Sequence, residues 1–321
     1  MYQKAKLFEA FVLTYNRADF MEKALLSLLE QTYKDFPITV LDNASTDDTA
    51  QRVKNIQKRY PDRKIYFKQS KTNTGPAGNF KWGQKLAKAK YALFFHDDDI
   101  LHPKYVETCL KLAQKHPHVN VIGCDCISTS TPETTPWRHF SGKYYLCDRK
   151  VFAHYMLAHK GMAWPATIYN TKVLKKTPLL ADKGYGKTAD RVILMDAVAN
   201  GFAVVFPDRY LKYRHHPGQD TFAYSTGPYE HEIIALLKKF KKEARSTSKA
   251  WKLAYNCFIL EKMKSNWRWA LKKQMTFEQF QKDCVKAGVI DKVISNTSYK
   301  LTHYFAKVYR MVLFNQFRRT I

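Results

Sequence analysis

Acidic side chains are scarce in this sequence relative to basic ones. Twenty-eight Asp+Glu stand against 54 Lys+Arg in 321 residues, a formal net charge of +26. An excess of that size points to a polyanionic partner: nucleic acid, an anionic membrane or a phosphorylated substrate. Long apolar runs are also missing. The best candidate, 192–206, is interrupted by Asp196, and a spanning helix needs about 18 or more uncharged apolar residues. No basic segment followed by a cleavable apolar stretch opens the chain, so the expectation is a cytoplasmic protein. Glycine and proline number only 12 each and no short repeat is visible, which excludes collagen-like and mucin-like chains. Cysteines are six and scattered, with only Cys124 and Cys126 close together. That pair lacks the second ligand pair of a closed zinc site, so reduced, mostly buried thiols are expected. Familiar catalytic signatures are lacking too. No Gly-x-Gly-x-x-Gly follows a strand, and Gly186-Lys187-Thr188 is preceded by Ala181 where a phosphate loop requires Gly.

What is present is a core. Apolar residues make up 45% of the chain and aromatics 14%, too many for a disordered protein. Over the first 125 residues, apolar strands at 7–14, 38–42, 65–68, 91–95 and 119–123 alternate with helical patterns. One helix is expected over Asp19–Tyr33, with Phe20, Ala24, Leu25, Leu28 and Leu29 on one face and Asp19 and Glu22 as a capping box. Another is expected to start near Ser45 with Thr46, Asp47 and Asp48 in its first turn. The alternation predicts an α/β fold: a mostly parallel sheet with helices on both faces. A polar, less regular stretch fills 127–188, then a helix over 190–200 and a strand over 203–206. Beyond about 225 the pattern is helical and basic. The expected division is a catalytic domain over 1–225, with halves 1–125 and 126–225, and a basic helical region over 226–321. Residues 222–321 carry 20 Lys+Arg against 7 Asp+Glu, half of the charge excess.

In such sheets ligands bind beyond the carboxyl ends of the strands, and there the sequence is densest in chemistry. The successive strand ends read Thr14-Tyr15-Asn16-Arg17, Asp42-Asn43-Ala44-Ser45, Asn73-Thr74-Gly75 and His96-Asp97-Asp98-Asp99. Asp and Asn are disfavoured inside strands and costly when buried unpaired. Three consecutive carboxylates repel one another unless a cation is present. Mg2+ or Mn2+ takes carboxylate oxygens and leaves positions for phosphate. A helix-capping role explains one such Asp, not three after an apolar strand.

These segments, in this order, resemble the inverting glycosyltransferases of family 2, which have the GT-A (nucleotide-diphospho-sugar transferase) fold. The resemblance extends to Ala189-Asp190-Arg191, similar to the family's Glu-Asp pair, and to Tyr213-Arg214-His215-His216, similar to its Tyr-Arg-x-His motif. It covers about 10–220 and leaves out the last hundred residues. It implies that Tyr15 lies against the nucleobase with Thr14 and Asn16 shaping the pocket. Asp42 and Asn43 would bond base and ribose. Asp98 would hold a divalent metal, Mn2+ or Mg2+, with Asp97 and Asp99 supporting it or binding the sugar and ribose on the nucleotide side. His216 would be a third metal ligand or a diphosphate contact, and Asp190 the general base. Trp164 lies where acceptor-binding segments sit, although core packing suits it equally. Two departures stand out: His96 replaces the first Asp of many metal motifs, and Ala189 replaces the Glu of the Glu-Asp pair.

The implied function is sugar transfer with inversion from a nucleotide-diphosphate donor, UDP-linked as first choice, to a glycan or lipid-linked acceptor. The implied setting is assembly of surface polysaccharide, lipopolysaccharide or capsule. In the basic region, Leu301, Tyr304, Phe305, Val308 and Val312 form one stripe of a helix over 298–319. Lys300, His303, Lys307, Arg310 and Arg318 lie away from its centre. Such a helix suits an anionic membrane surface, on the cytoplasmic face, or packing on the catalytic domain with a solvated basic face. Two competing readings are a nucleic-acid-binding protein and a GT-A protein that binds nucleotide sugar without turnover. The first lacks a zinc finger, a helix-turn-helix pattern or an RNA-binding aromatic signature, and leaves Asp97–Asp99 unexplained; nucleic acid is therefore not expected as a partner.

Overall fold

A computed structural model describes residues 6–158, 162–178, 184–219 and 230–321; the boundary expected near 225 lies outside them. Strands β1 (Phe8–Thr14), β2 (Ile38–Asp42), β3 (Ile65–Gln69) and β4 (Tyr91–His96) alternate with helices α1 (Ala18–Leu29), α2 (Thr49–Arg59) and α3 (Gly75–Leu86). There follow β5 (Ile100–Leu101), α4 (Tyr105–Lys115), β6 (Val119–Thr129), β7 (Lys143–Cys147), α5 (Arg149–Ala158), β8 (Ile168–Asn170), α6 (Thr171–Lys176), α7 (Ala189–Ala197) and β9 (Phe202–Arg214). Four helices, α8 (Glu230–Glu243), α9 (Lys249–Asn266), α10 (Phe277–Lys286) and α11 (Asn296–Asn315), precede a last strand, β10 (Arg318–Thr320).

The strands form one sheet in the order β10-β7-β9-β6-β8-β4-β1-β2-β3, with β5 paired to β9. β3, β2, β1 and β4 run parallel, as βαβ crossovers require. β8 lies antiparallel between β4 and β6, while β6 and β9 are parallel. Alternate residues of β1 serve opposite faces. Phe8, Ala10 and Val12 pack with Leu25, Leu28 and Val106 under α1 and α4; Phe11 packs with Phe94, Phe152 and Leu194 under α5 and α7. The second core continues without a break into the C-terminal helices through Phe240, Phe258, Phe280 and Phe314.

Three local expectations need correction. Asp19 and Glu22 do not form a capping box: α1 starts at Ala18, whose amide donates to Asp47 Oδ2 at 2.9 Å, while Asp19 and Glu22 both pair with Arg52. Thr46–Asp48 lie before α2 rather than in its first turn; Asp47 accepts with one oxygen from Thr49 at the start of α2 and with the other from the Ala18 amide of α1. The strand expected to end at Phe206 runs on to Arg214. Its register with β6 jumps from Cys124↔Phe206 to Asp125↔Arg209, so Pro207 and Asp208 sit in a bulge where proline needs no ladder bond.

α11 docks on α9 through Ala306, Leu313 and Phe314, Phe317 packs on the same core just beyond it, and β10 pairs with β7 at the sheet edge, Arg318 opposite Tyr145. The stripe expected from the sequence lies on the other side: Leu301, Tyr304, Phe305 and Val312 are exposed. The helix therefore has two apolar faces, and only one is packed against the described residues.

Candidate active site

β1 leads through α1 to β2 on one side, and the crossover through α3 returns to β4 on its other side. This is the topological switch point at which open α/β sheets bind ligands. Thr14 stands opposite Asp42 in the ladder and Leu13 opposite His96, so three of the polar strand ends meet by register alone. Asp97, Asp98 and Asp99 follow β4, all buried.

The neighbours of this knot come from afar. The Arg17 guanidinium donates to Asp97 Oδ1 and to Asp98 Oδ2, both at 3.2 Å, and to the Gly218 carbonyl at 2.6 Å. Arg214 donates its amide to Asp99 Oδ1 at 3.0 Å and its Nε to the Asp98 carbonyl at 2.8 Å, with Glu133 behind it. The β9 bulge makes this possible by extending that strand to the cleft. His216 Nε2 lies 3.0 Å from Asp98 Oδ2, its ring against Phe20.

Two buried oxygens, Asp98 Oδ1 and Asp99 Oδ2, have no hydrogen-bond partner among the described residues. Orphaned buried carboxylate oxygens are costly. One ligand atom each of His96, Asp98 and Asp99 lies within 4.8 Å of the others. Two carboxylates and an imidazole form a mixed O/N donor set that fits Mn2+ better than Mg2+, which prefers oxygen alone. His96, the departure from the usual motif, thus stands at the site, whereas His216 bonds to Asp98 from beside it.

Burial, and then the charge of Asp98, push the Asp97 carboxyl up to about 7, against the pull of Arg17. Asp99 is also raised, by burial and by Asp98. The folded protein then holds a proton on Asp97 over a range in which the unfolded chain has released it. Its contribution to stability therefore falls as pH rises from about 4 to about 7, and levels off above. In chelator, the melting temperature of wild type relative to Asp97→Asn is expected to drop across that interval, and saturating Mn2+ to flatten the drop. A relative melting temperature that rises with pH would contradict this account.

The nucleotide-side residues sit around the same opening. Tyr15 is 42% exposed at the end of β1, free to meet a planar ligand, and its amide faces Asp97 Oδ2 at 3.4 Å. Asn16 takes a positive φ of 50° and accepts from the Thr46 amide at 2.7 Å, tying two strand-end loops together. Asp42 is fully buried; one oxygen accepts from Ser45 and the other from Gln69 Nε2 at 2.7 Å. Asn43 pins the third loop, donating to Asn73 Oδ1 at 2.7 Å and accepting from the Thr74 amide at 3.0 Å.

Asp190 opens α7, its Oδ1 accepting from the Arg191 amide at 2.7 Å. Burial raises its carboxyl above the ordinary range, while the charges of Arg191, His96 and Lys262 oppose that rise. Lys262 comes from α9 and is itself buried, its ammonium pushed well below the ordinary lysine value. Trp164 packs against Phe80 and Tyr169, with ring centroids at 5.0 and 5.8 Å.

Arg17, His96 and Lys262 were not among the expected site residues. Arg17 carried a signal, as the single cation directly following a polar strand end. Lys262 carried none, being one lysine of many on a basic helix 72 positions from Asp190.

Comparison with known proteins identifies the family and the fold. The family model for glycosyl transferase family 2 matches residues 10–176. An uncharacterized glycosyltransferase of Haemophilus influenzae is 24% identical over 251 residues, which is 75% of this chain and 74% of the relative. The GalNAc(5)-diNAcBac-PP-undecaprenol beta-1,3-glucosyltransferase of Campylobacter jejuni is 35% identical over 130 residues, 40% of each chain. Among solved structures, S. aureus TarS 1-349 in complex with UDP-GlcNAc superposes with a TM-score of 0.62 at 20% identity, covering 94% of this chain and 88% of that one. With more than half of its length matched, the chain belongs to glycosyl transferase family 2 and has the GT-A fold.

Proposed function

We propose that this glycosyltransferase moves one hexosyl or N-acetylhexosaminyl unit, with inversion, from a nucleoside-diphosphate donor to a glycan or lipid-linked acceptor. UDP is the first choice of nucleotide, and assembly of cell-surface polysaccharide, lipopolysaccharide or capsule is the setting. The reaction takes place in the cytoplasm, at the inner face of an anionic membrane where a lipid-linked acceptor is presented. One observation carries the reading: ligand atoms of His96, Asp98 and Asp99 converge at the β1/β4 switch point, and Asp98 and Asp99 each keep a buried oxygen without a hydrogen-bond partner among the described residues. The UDP-GlcNAc complex of the structural neighbour and the undecaprenol-linked acceptor in the Campylobacter relative's name support the choice of donor and acceptor class.

Tyr15 stacks on the base within the pocket shaped by Thr14 and Asn16. Asp42 binds base or ribose, and Asn43 does so or holds the 73–75 loop for it. His96, Asp98 and Asp99 hold the divalent ion, with His216 as a further ligand or a diphosphate contact; Arg17 braces the aspartates, and Asp97 supports the ion or meets the sugar and ribose. A bound divalent ion neutralises the charge that develops on the leaving diphosphate. Asp190 accepts the acceptor hydroxyl proton as that oxygen bonds the anomeric carbon and the bond to diphosphate breaks on the opposite face. Trp164 borders the acceptor side.

Thermal-shift measurements with UDP, GDP, dTDP and CMP, each with Mn2+, Mg2+ or chelator, test this. One nucleotide is expected to raise the midpoint only with metal, stabilising by about 2.7 kcal/mol at a hundredfold excess over its Kd. No shift with any nucleotide, alongside tight salt-sensitive binding to DNA or RNA, would sink it.

A further inference from the structure

Leu301, Tyr304, Phe305, Met311 and Val312 of α11 are between 48% and 64% exposed. With Val308 they recur at three- and four-residue intervals. At 100° per residue they fall within about 60° of a line through Val308 and run along about 16 Å of helix. The opposite side of α11 is already occupied: Ala306 and Phe314 are buried, Phe314 stacks on Phe258, and Arg310 and His303 both pair with Glu261. The stripe is therefore not waiting for a place in the core.

Its surroundings state what covers it. Residues 292–321 contain no Asp or Glu and six Lys or Arg. Lys300 and Lys307 border the stripe, and Arg318 and Arg319 follow on β10, all exposed. Neither Lys300 nor Lys307 has an ion-pair partner among the described residues. Two copies of such a face would bring cations against cations, whereas an anionic lipid surface supplies both the phosphate charge and the apolar phase. No described helix is long and apolar enough to cross a membrane, so α11 lies in the interface rather than through it.

We propose that α11 is the membrane-docking element, resting its Leu301–Val312 stripe in the headgroup and acyl boundary of an anionic bilayer. This deepens the reading of a lipid-linked acceptor and rests on it for its purpose. The docked helix is held to the catalytic sheet at both of its ends of contact, through α9 and through β10 on β7, so membrane contact fixes the attitude of the whole enzyme.

The test is co-sedimentation of the full chain with vesicles of phosphatidylcholine alone or of phosphatidylcholine mixed with phosphatidylglycerol. Wild type is expected to bind the mixed vesicles, with salt weakening the binding, and to bind the neutral ones at least about tenfold less. L301S/F305S/V312S and K300E/K307E are each expected to lose at least about tenfold in partitioning while keeping the wild-type melting temperature, since these side chains are exposed. Wild type that ignores the mixed vesicles, or variants that bind them as tightly as wild type, would overturn the proposal. A wild-type dimer by light scattering that the stripe variant splits, without vesicle binding, would overturn it in favour of a second copy. The UDP thermal shift separates the two readings: both variants are expected to retain it, and its absence from wild type that binds vesicles counts against the donor assignment alone.

Discussion

Asp190→Asn is expected to lower kcat by about two to four orders of magnitude, the usual contribution of a positioned general base, while leaving the metal-dependent UDP shift in place. The asymmetry follows from position. Asp190 belongs to the first turn of α7, and Asp97–Asp99 follow β4, so the substitution removes the proposed proton acceptor without touching the aspartates assigned to the divalent ion. Asn keeps the oxygen that accepts from the Arg191 amide, so α7 keeps its start. The pH profile supplies a second readout. Only the carboxylate form accepts a proton, so wild-type kcat rises with pH through the carboxyl's pKa. Burial sets that limb above the ordinary carboxylate range, and the limb disappears in Asp190→Asn. Steady-state turnover with the nucleotide sugar chosen by the shift panel measures both. An unchanged kcat in the variant would remove Asp190 from the chemistry.

Much of the fold is legible in the residues because β1, β2 and β4 are short, mostly apolar and followed by polar clusters. A strand covered on both faces has that composition. The carboxylate knot is legible for the converse reason: three aspartates after a buried strand have no use as core. What was hidden is long-range. Asp47 looks like a residue of its own helix and, besides bonding Thr49 at the start of α2, caps α1, 29 positions back. Pro207 reads as a strand terminator, and only the bulge opposite Cys124 and Asp125 shows how β9 passes it to deliver Arg214 to Asp99. On α11 the amphipathic pattern identified an apolar stripe and left open whether lipid or the catalytic domain covers it. A second apolar face, through Phe314 and Phe317, did the packing. Periodicity ranks faces by composition and says nothing about which one the rest of the chain can reach.

Asp98→Ala is expected to have the larger effect on donor binding. It removes the one carboxylate that both belongs to the His96, Asp98, Asp99 group and bonds His216 and Arg17. The Mn2+-dependent part of the UDP shift should vanish. Turnover should fall by at least about 10³, because a divalent ion at a leaving diphosphate contributes several kcal/mol and each 1.36 is about tenfold. Collapse of the fold would be the trivial explanation, and the electrostatics argue against it. Asp98 is the charge that, after burial, raises both Asp97 and Asp99, so its removal lowers repulsion within the knot. In chelator the variant should therefore melt no lower than wild type at neutral pH, and the benefit should shrink as Asp97 protonates below about 7. His216→Ala is the control: it takes away the Asp98 hydrogen bond and leaves the converging trio, so the Mn2+-dependent shift should weaken and persist. If Asp98→Ala keeps a full Mn2+-dependent shift, the cation is held elsewhere and the orphaned oxygens need another partner.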